Sequence, residues 1–316
     1  MLSRVAETIY WLGRYVERAE NTARIVGVNA NLLLDLPKGI APGWRTLIDI
    51  TGATGLFETC YGDYEEQSVV RFLLGDERNP DSILSALAAA RENCRTMRDF
   101  VPREAWELIN ELYLHARDQL DQGMTKGGRH GYLKSIVQGS QGFSGLLSGT
   151  MLHDQGYEFL HLGRFLERAD MTTRIVDVRS ANLLPGEATE LRPFETIQWV
   201  SVLKSLTAYQ AYRRSEQVRV QRGPVLRFLF QHETFPRSVR HCIDSGRGSL
   251  ARLPRNDSAL RVAGRLGRTL VSADPPGLDQ RGLHAFVDEL QLAIGDLHRA
   301  IAETWFPPPL GAPAAA

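Results

Sequence analysis

Leu12-Gly13-Arg14-Tyr15-Val16-Glu17-Arg18-Ala19-Glu20 is a stretch this chain contains almost twice. It returns 150 residues later as Leu162-Gly163-Arg164-Phe165-Leu166-Glu167-Arg168-Ala169-Asp170. Over positions 12–28 and 162–178 the two copies agree at 11 of 17 places. Around the first copy Ile9, Leu12, Val16, Ala19, Ala23 and Val26 recur at spacings of three and four, which puts them on one stripe of a helix. Ser3 is positioned to cap its start, and Pro37 with Gly39 marks its exit.

A second block repeats in the same order, with the register moved by six residues. Arg71-Phe72-Leu73 meets Arg227-Phe228-Leu229, and Glu77, Pro80 and Ser82 meet Glu233, Pro236 and Ser238. The extra residues fit the connection after the long helix, where Pro37 to Pro42 becomes Pro185 to Pro193. One matching helix could be chance, whereas two ordered blocks point to duplication. The expectation is an all-α helical bundle, a single domain over 1–316 made of two tandem pseudo-symmetric halves, 1–150 and 151–306. The Pro/Ala-rich stretch 307–316 reads as a disordered tail.

Helix punctuation continues between the repeats. Asn79-Pro80-Asp81 reads as a cap followed by proline at the first helical position, opening a helix to about Arg98. Pro102 opens another to about Leu120, Gly127-Gly128 breaks the chain, and helices resume near Tyr132, Asp154, Pro193, Gly223, Pro236, Asp257 and Leu278. Sustained period-two alternation is missing, so strands are not expected.

The 37 basic and 37 acidic residues cancel, which argues against a nucleic-acid partner, since that class carries a basic excess. Only Lys38, Lys126, Lys134 and Lys204 are lysines. The arginine bias reflects base composition or, alternatively, a need for forked pairing with carboxylates and phosphates. Cys60, Cys94 and Cys242 are odd in number with no C-x-x-C, which fits a reducing cytoplasm better than a disulfide framework or zinc site. The N-terminus lacks a secretory apolar core, and no apolar run is long enough to span a membrane.

On a helical wheel Arg14, Glu17, Arg18, Asn21 and Arg24 lie opposite the apolar stripe. An ordinary solvated face of this kind contributes only tenths of a kcal/mol through pairs a turn apart. The repeat changes that reading, because Arg14, Glu17, Arg18, Glu20 and Arg24 have counterparts in Arg164, Glu167, Arg168, Asp170 and Arg174. A charged face held constant between two copies suggests burial, and buried charges must be paired or bind something charged. Glu17 and Glu167 then pair with Arg168 and Arg18 to fix the packing, the favoured reading. Otherwise surplus arginines hold a phosphate or carboxylate.

A second polar cluster, Arg91, Glu92, Asn93, Arg95 and Arg98, is either an exposed helix face or a companion of the first. Gly139, Gly142, Gly145 and Gly149 recur at helical spacing and suggest close helix approach; no phosphate-loop pattern accompanies them. The histidines form no recognisable metal set: His153 and Asp154 are adjacent, and His161 lacks a ligand one turn on. No G-x-S-x-G hydrolase elbow is present.

The two Glu-Arg blocks, together with Ala90-Arg91-Glu92-Asn93-Cys94-Arg95, Trp106-Glu107-Leu108-Ile109-Asn110 and Pro236-Arg237-Ser238-Val239, resemble the bacterial alpha-E family along nearly the whole chain. Cys94 departs mildly, at a place where a smaller residue is expected. The resemblance implies an all-helical domain encoded or fused beside circularly permuted ATP-grasp proteins and transglutaminase-like proteins, in systems that make and cut amide bonds. It implies a scaffold or partner role, with no cofactor in this chain and with ATP and magnesium belonging to the ATP-grasp partner. The alternatives left open are an enzyme using Glu17 or Glu167 beside anion-binding arginines, and a purely structural module, including a homo-oligomer.

Overall fold

The computed structural model describes residues 2–35, 43–181, 192–217 and 219–306. The described residues form fifteen α-helices and no strand. The exit of the first helix at Pro37–Gly39 and the tail at 307–316 lie outside them.

Two long helices organise the molecule: α1 (Ser3–Asp35) and α9 (Gln155–Ala181). They pack directly against each other and run in the same direction, since Tyr10 approaches Gly163 while Glu17 reaches Arg168. Glycine permits the crossing. A Cβ on Gly13 would sit 2.3 Å from the Leu160 carbonyl oxygen, and one on Gly163 would sit 2.0 Å from that of Tyr10. Any side chain there would force the two backbones apart.

Each long helix has its own companions. Helix α1 packs on α5 (Ile83–Thr96) and α8 (Lys126–Thr150), and α6 (Arg103–Asp118) closes the ring by packing on both. Helix α9 packs on α13 (Val239–Ala251) and α15 (Gln280–Trp305), and α14 (Asp257–Ser272) closes that ring. The shorter helices reach across: α2 (Arg45–Thr51) touches α9, and α10 (Arg192–Ser205) touches α1. The remaining short helices are α3 (Thr54–Cys60), α4 (Glu66–Leu74), α7 (Leu120–Met124), α11 (Tyr209–Glu216) and α12 (Arg222–Gln231), with a 3-10 turn at Pro275–Gly277. Buried side chains of both rings form one continuous core.

Local signals place these elements. Ser82 caps α5 by accepting the Ser85 N–H, and Ser238 caps α13 by accepting that of His241. Asn79 is therefore not the cap of α5. Its amide donates to the Phe72 carbonyl at 2.9 Å and accepts from the Asp81 N–H at 3.0 Å, so it closes the turn ahead of the helix instead. The glycine series of α8 also differs from expectation. Only Gly139 is crowded, by Leu112 of α6, while nothing lies within 4 Å of a Cβ on Gly145 or Gly149. The close approach belongs to Gly13 and Gly163.

Candidate functional site

The crossing of α1 and α9 buries the charged faces of both helices. Glu17 is 2% exposed and Glu167 3%. The glutamates do not face one another; each faces arginines of the opposite helix. Arg168 donates from Nε to Glu17 Oε1 at 3.0 Å and from Nη2 to Oε2 at 2.6 Å. In return Arg18 donates from Nε to Glu167 Oε1 at 2.6 Å and from Nη2 to Oε2 at 3.0 Å, and Arg14 Nε reaches Oε2 at 2.7 Å. These forked pairs are the strong form of charge-assisted hydrogen bond.

Two connections complete the site from outside the repeated helices. Arg237, in the turn before α13, donates from Nη1 to Glu17 Oε1 and Asn21 Oδ1 and from Nη2 to Glu20 Oε1, each at 2.7 Å. Thr172 of α9 holds that turn by donating to the Arg237 carbonyl at 2.9 Å. Glu20 also accepts from Arg24 at 2.9 and 2.6 Å. On the other side Asp81, in the turn before α5, is ion-paired with Arg18 Nη1. Asp170 accepts from Arg174 Nε at 2.9 Å.

Neither Arg237 nor Asp81 was picked out as part of the cluster by spacing alone. Their signal lies in the shifted register, where residue 81 stands opposite residue 237. The turn at Asp81 brings a negative charge to Arg18, and the turn at Arg237 brings a positive charge to Glu17 and Glu20.

The electrostatics follow from this pairing. Burial alone would raise the Glu17 carboxyl, but the charges of Arg168 and Arg237 override it and hold the group well below the usual range. At Glu167 burial is likewise overridden, by Arg14 and Arg18, and the carboxyl is held at about 2. Arg14, Arg18 and Arg168, which burial would otherwise lower, are raised by the same glutamates. Both carboxylates therefore stay ionised and saturated with donors.

Arg164 breaks the correspondence. Its counterpart Arg14 pairs with Glu167, whereas Arg164 has no ion-pair partner among the described residues and its Nε lacks a hydrogen bond. Its Nη2 lies 3.3 Å from His161 Nε2. Burial, then the charge of Arg168, lowers the Arg164 guanidinium. Burial, then the charge of Arg164, pushes the His161 ring down to about 3.

The second polar cluster does not join this centre. Arg91 donates to Asn110 at 2.7 Å and, with Arg98, lies over the Trp106 ring of α6, while Glu92 and Arg95 form an exposed pair. Among the described residues none of Arg91, Glu92, Asn93, Arg95 and Arg98 bonds to the first cluster. The three cysteines are free. Burial pushes the thiols of Cys94 and Cys242 up to about 12, which makes them unreactive at neutral pH. Folding does collect one group of metal-ligand type at the surface, Asp177 of α9 with His284 and Asp288 of α15. Sequence spacing shows only the His284–Asp288 pair of that set. No helix among the described residues is long and apolar enough to cross a membrane.

Curated relatives are similar along almost all of this chain. An uncharacterized protein of Mycobacterium bovis is 22% identical over 324 residues, covering 95% of this chain and 36% of the relative. Uncharacterized proteins of Mycobacterium tuberculosis, strains CDC 1551 and H37Rv, are 22% and 21% identical with the same coverage. The chain thus spans about a third of the length of these relatives. No solved structure matches it. With its all-helical fold and two Glu-Arg pairs locked across the central crossing, and with residues 1–306 matching the model of a predicted alpha-helical domain with a conserved ER motif, the chain belongs to the Alpha-E family.

Proposed function

We propose that this chain is a helical scaffold that partners a circularly permuted ATP-grasp protein and a transglutaminase-like protein in amide or peptide ligation. The observation that carries the scaffold role is the saturation of Glu17 and Glu167. Each accepts three guanidinium hydrogen bonds and is held far below the pKa range useful for proton transfer at neutral pH. A base would have to shed those bonds before reaching a substrate, so the centre suits fixing the crossing better than catalysis. The length of the curated relatives also supports a domain that works joined to others. ATP and magnesium then belong to the ligase partner, in the cytoplasm.

The test is co-expression of the full chain with a circularly permuted ATP-grasp protein of the same organism, followed by size-exclusion chromatography and an ATP-consumption assay. A co-eluting complex, or ligase turnover that depends on this chain, is expected. Two separate monodisperse species with ligase activity indifferent to the chain would overturn the proposal.

A further inference from the structure

One arginine of the central cluster has no counter-charge. On the Glu167 side three arginines meet three carboxylates: Arg14 and Arg18 hold Glu167, Arg18 also holds Asp81, and Arg174 holds Asp170. On the Glu17 side Arg168 and Arg237 hold Glu17, and Arg24 and Arg237 hold Glu20. With Arg164, whose charge reaches both Arg168 and Glu17, that side has four arginines for two carboxylates. Arg14 and Arg18, four residues apart on α1, share the Glu167 carboxylate. Arg164 and Arg168, at the same spacing on α9, share none among the described residues. Arg237 gives Glu17 the third donor that Arg14 gives Glu167, and Arg164 is left over.

That surplus cannot be relieved by losing a proton. Burial and then Arg168 lower the Arg164 guanidinium, but an arginine stays charged in a folded protein. Like charges one helical turn apart repel, and a cation drawn out of water without a counter-ion is costly. The Arg164 Nε is closed to solvent and makes no hydrogen bond. Its Nη2 meets the His161 ring at 3.3 Å, and that ring, neutral down to about 3, brings no negative charge. Its Nη1 has no hydrogen bond among the described residues and, unlike Nε, is not sealed from solvent. Arg168 commits Nε and Nη2 to Glu17, while its Nη1 has only a 3.4 Å bond to the Pro236 carbonyl at the surface. Each guanidinium therefore keeps one Nη1 donor for a ligand. Donors without acceptors select an anion, and guanidinium groups match phosphate oxygens well. The excess of two positive charges suits a phosphate monoester, which carries about two negative charges at neutral pH.

We propose that Arg164 and the Nη1 edge of Arg168 bind a phosphate group supplied from outside the chain, which bridges the two arginines as Glu167 bridges Arg14 and Arg18. The inference is independent of the scaffold reading, since it concerns an anion held by this chain and not the ligase.

Calorimetric titration of the full chain with inorganic phosphate, in a chloride buffer of low ionic strength, tests it. Saturable binding with a Kd of about 1 mM or tighter is expected. Acetate at the same ionic strength should bind about tenfold more weakly or not at all. Arg164→Gln removes the unpaired charge and should weaken phosphate binding by about tenfold or more. Arg95→Gln, in the exposed pair with Glu92, should leave it unchanged. Should Arg164→Gln fold poorly, Arg164→Lys keeps the charge without the fork and should weaken binding severalfold. No saturable binding by the natural chain, acetate binding as tightly as phosphate, or unchanged affinity in a folded Arg164 variant would each overturn the proposal.

Discussion

At the scale of single residues, the centre of the molecule depends on carboxylates that cannot be removed without stranding their partners. Glu17 accepts from Arg237, buried with it, and from Arg168, whose side chain is 12% exposed. Truncating it leaves two largely buried cations without their shared carboxylate, a kind of change that costs roughly 3–5 kcal/mol. Glu17→Ala is therefore expected to shift urea denaturation by about that amount, monitored by far-ultraviolet circular dichroism, while the exposed pair partner Glu92 changed to Ala shifts it by less than about 1 kcal/mol. A Glu17→Ala variant as stable as the natural chain would remove the structural role assigned to the cluster. The sequence repeat made the members on α1 and α9 legible, because two copies of a charged face imply constraint. It did not make Arg237 legible as the third partner of Glu17, since it comes from a turn some 220 residues away and carries a different residue type in the other block.

At the scale of elements, the crossing of α1 and α9 rests on two glycines rather than on apolar side chains. A methyl group at Gly163 would press into the Tyr10 carbonyl, a backbone atom that cannot rotate away. Gly163→Ala should then push the helices apart and disturb every ion pair across the crossing, with a loss of at least about 2 kcal/mol in urea melts. Gly145→Ala offers the contrasting case, because its added methyl meets open space on an exposed face of α8. Relief of glycine's helix penalty should stabilise that variant by up to about 1 kcal/mol. Equal effects at the two positions would count against the close backbone contact. Both glycines sit inside helical patterns, Gly163 in Leu162-Gly163-Arg164 and Gly145 in Ser144-Gly145-Leu146. Helix spacing alone does not tell a glycine that admits another backbone from one on the surface. The same limit applies at Asn79, whose cap-like context before Pro80 is overruled by the Phe72 carbonyl within its reach and by Ser82 three residues on.

At the scale of the whole molecule, the buried charges couple folding to pH, and the direction can be worked out group by group. Glu17 and Glu167 have folded pKa values below their ordinary 4.5. Their stabilisation is complete above that value and is lost as pH falls toward about 2, because the unfolded chain takes up protons first. His161 acts earlier. It is held neutral down to about 3 by burial and by Arg164, with His153, Arg252 and Arg168 adding the same sign. Unfolding frees it to protonate near 6.5, so stability falls with pH between about 6.5 and 3 on its account. His298 is lowered as well, by burial and then by Arg14. His284 is raised by its bond to Asp177 and works in the opposite sense, but it sits at the surface where solvent screens the effect. The expected profile of urea midpoint against pH is level between about 7 and 8, declines gently from 6.5 to 4.5, and drops steeply below 4.5; above about 9 it declines again, because the buried thiols of Cys94 and Cys242 ionise only on unfolding. His161→Phe, which removes the titrating ring while keeping an aromatic beside Tyr157 and Phe165, should flatten the gentle decline and leave the steep one in place. A steep limb that moved with His161, or a stability that rose on acidification from 7 to 4, would mean that the central carboxylates are not held ionised by their arginines.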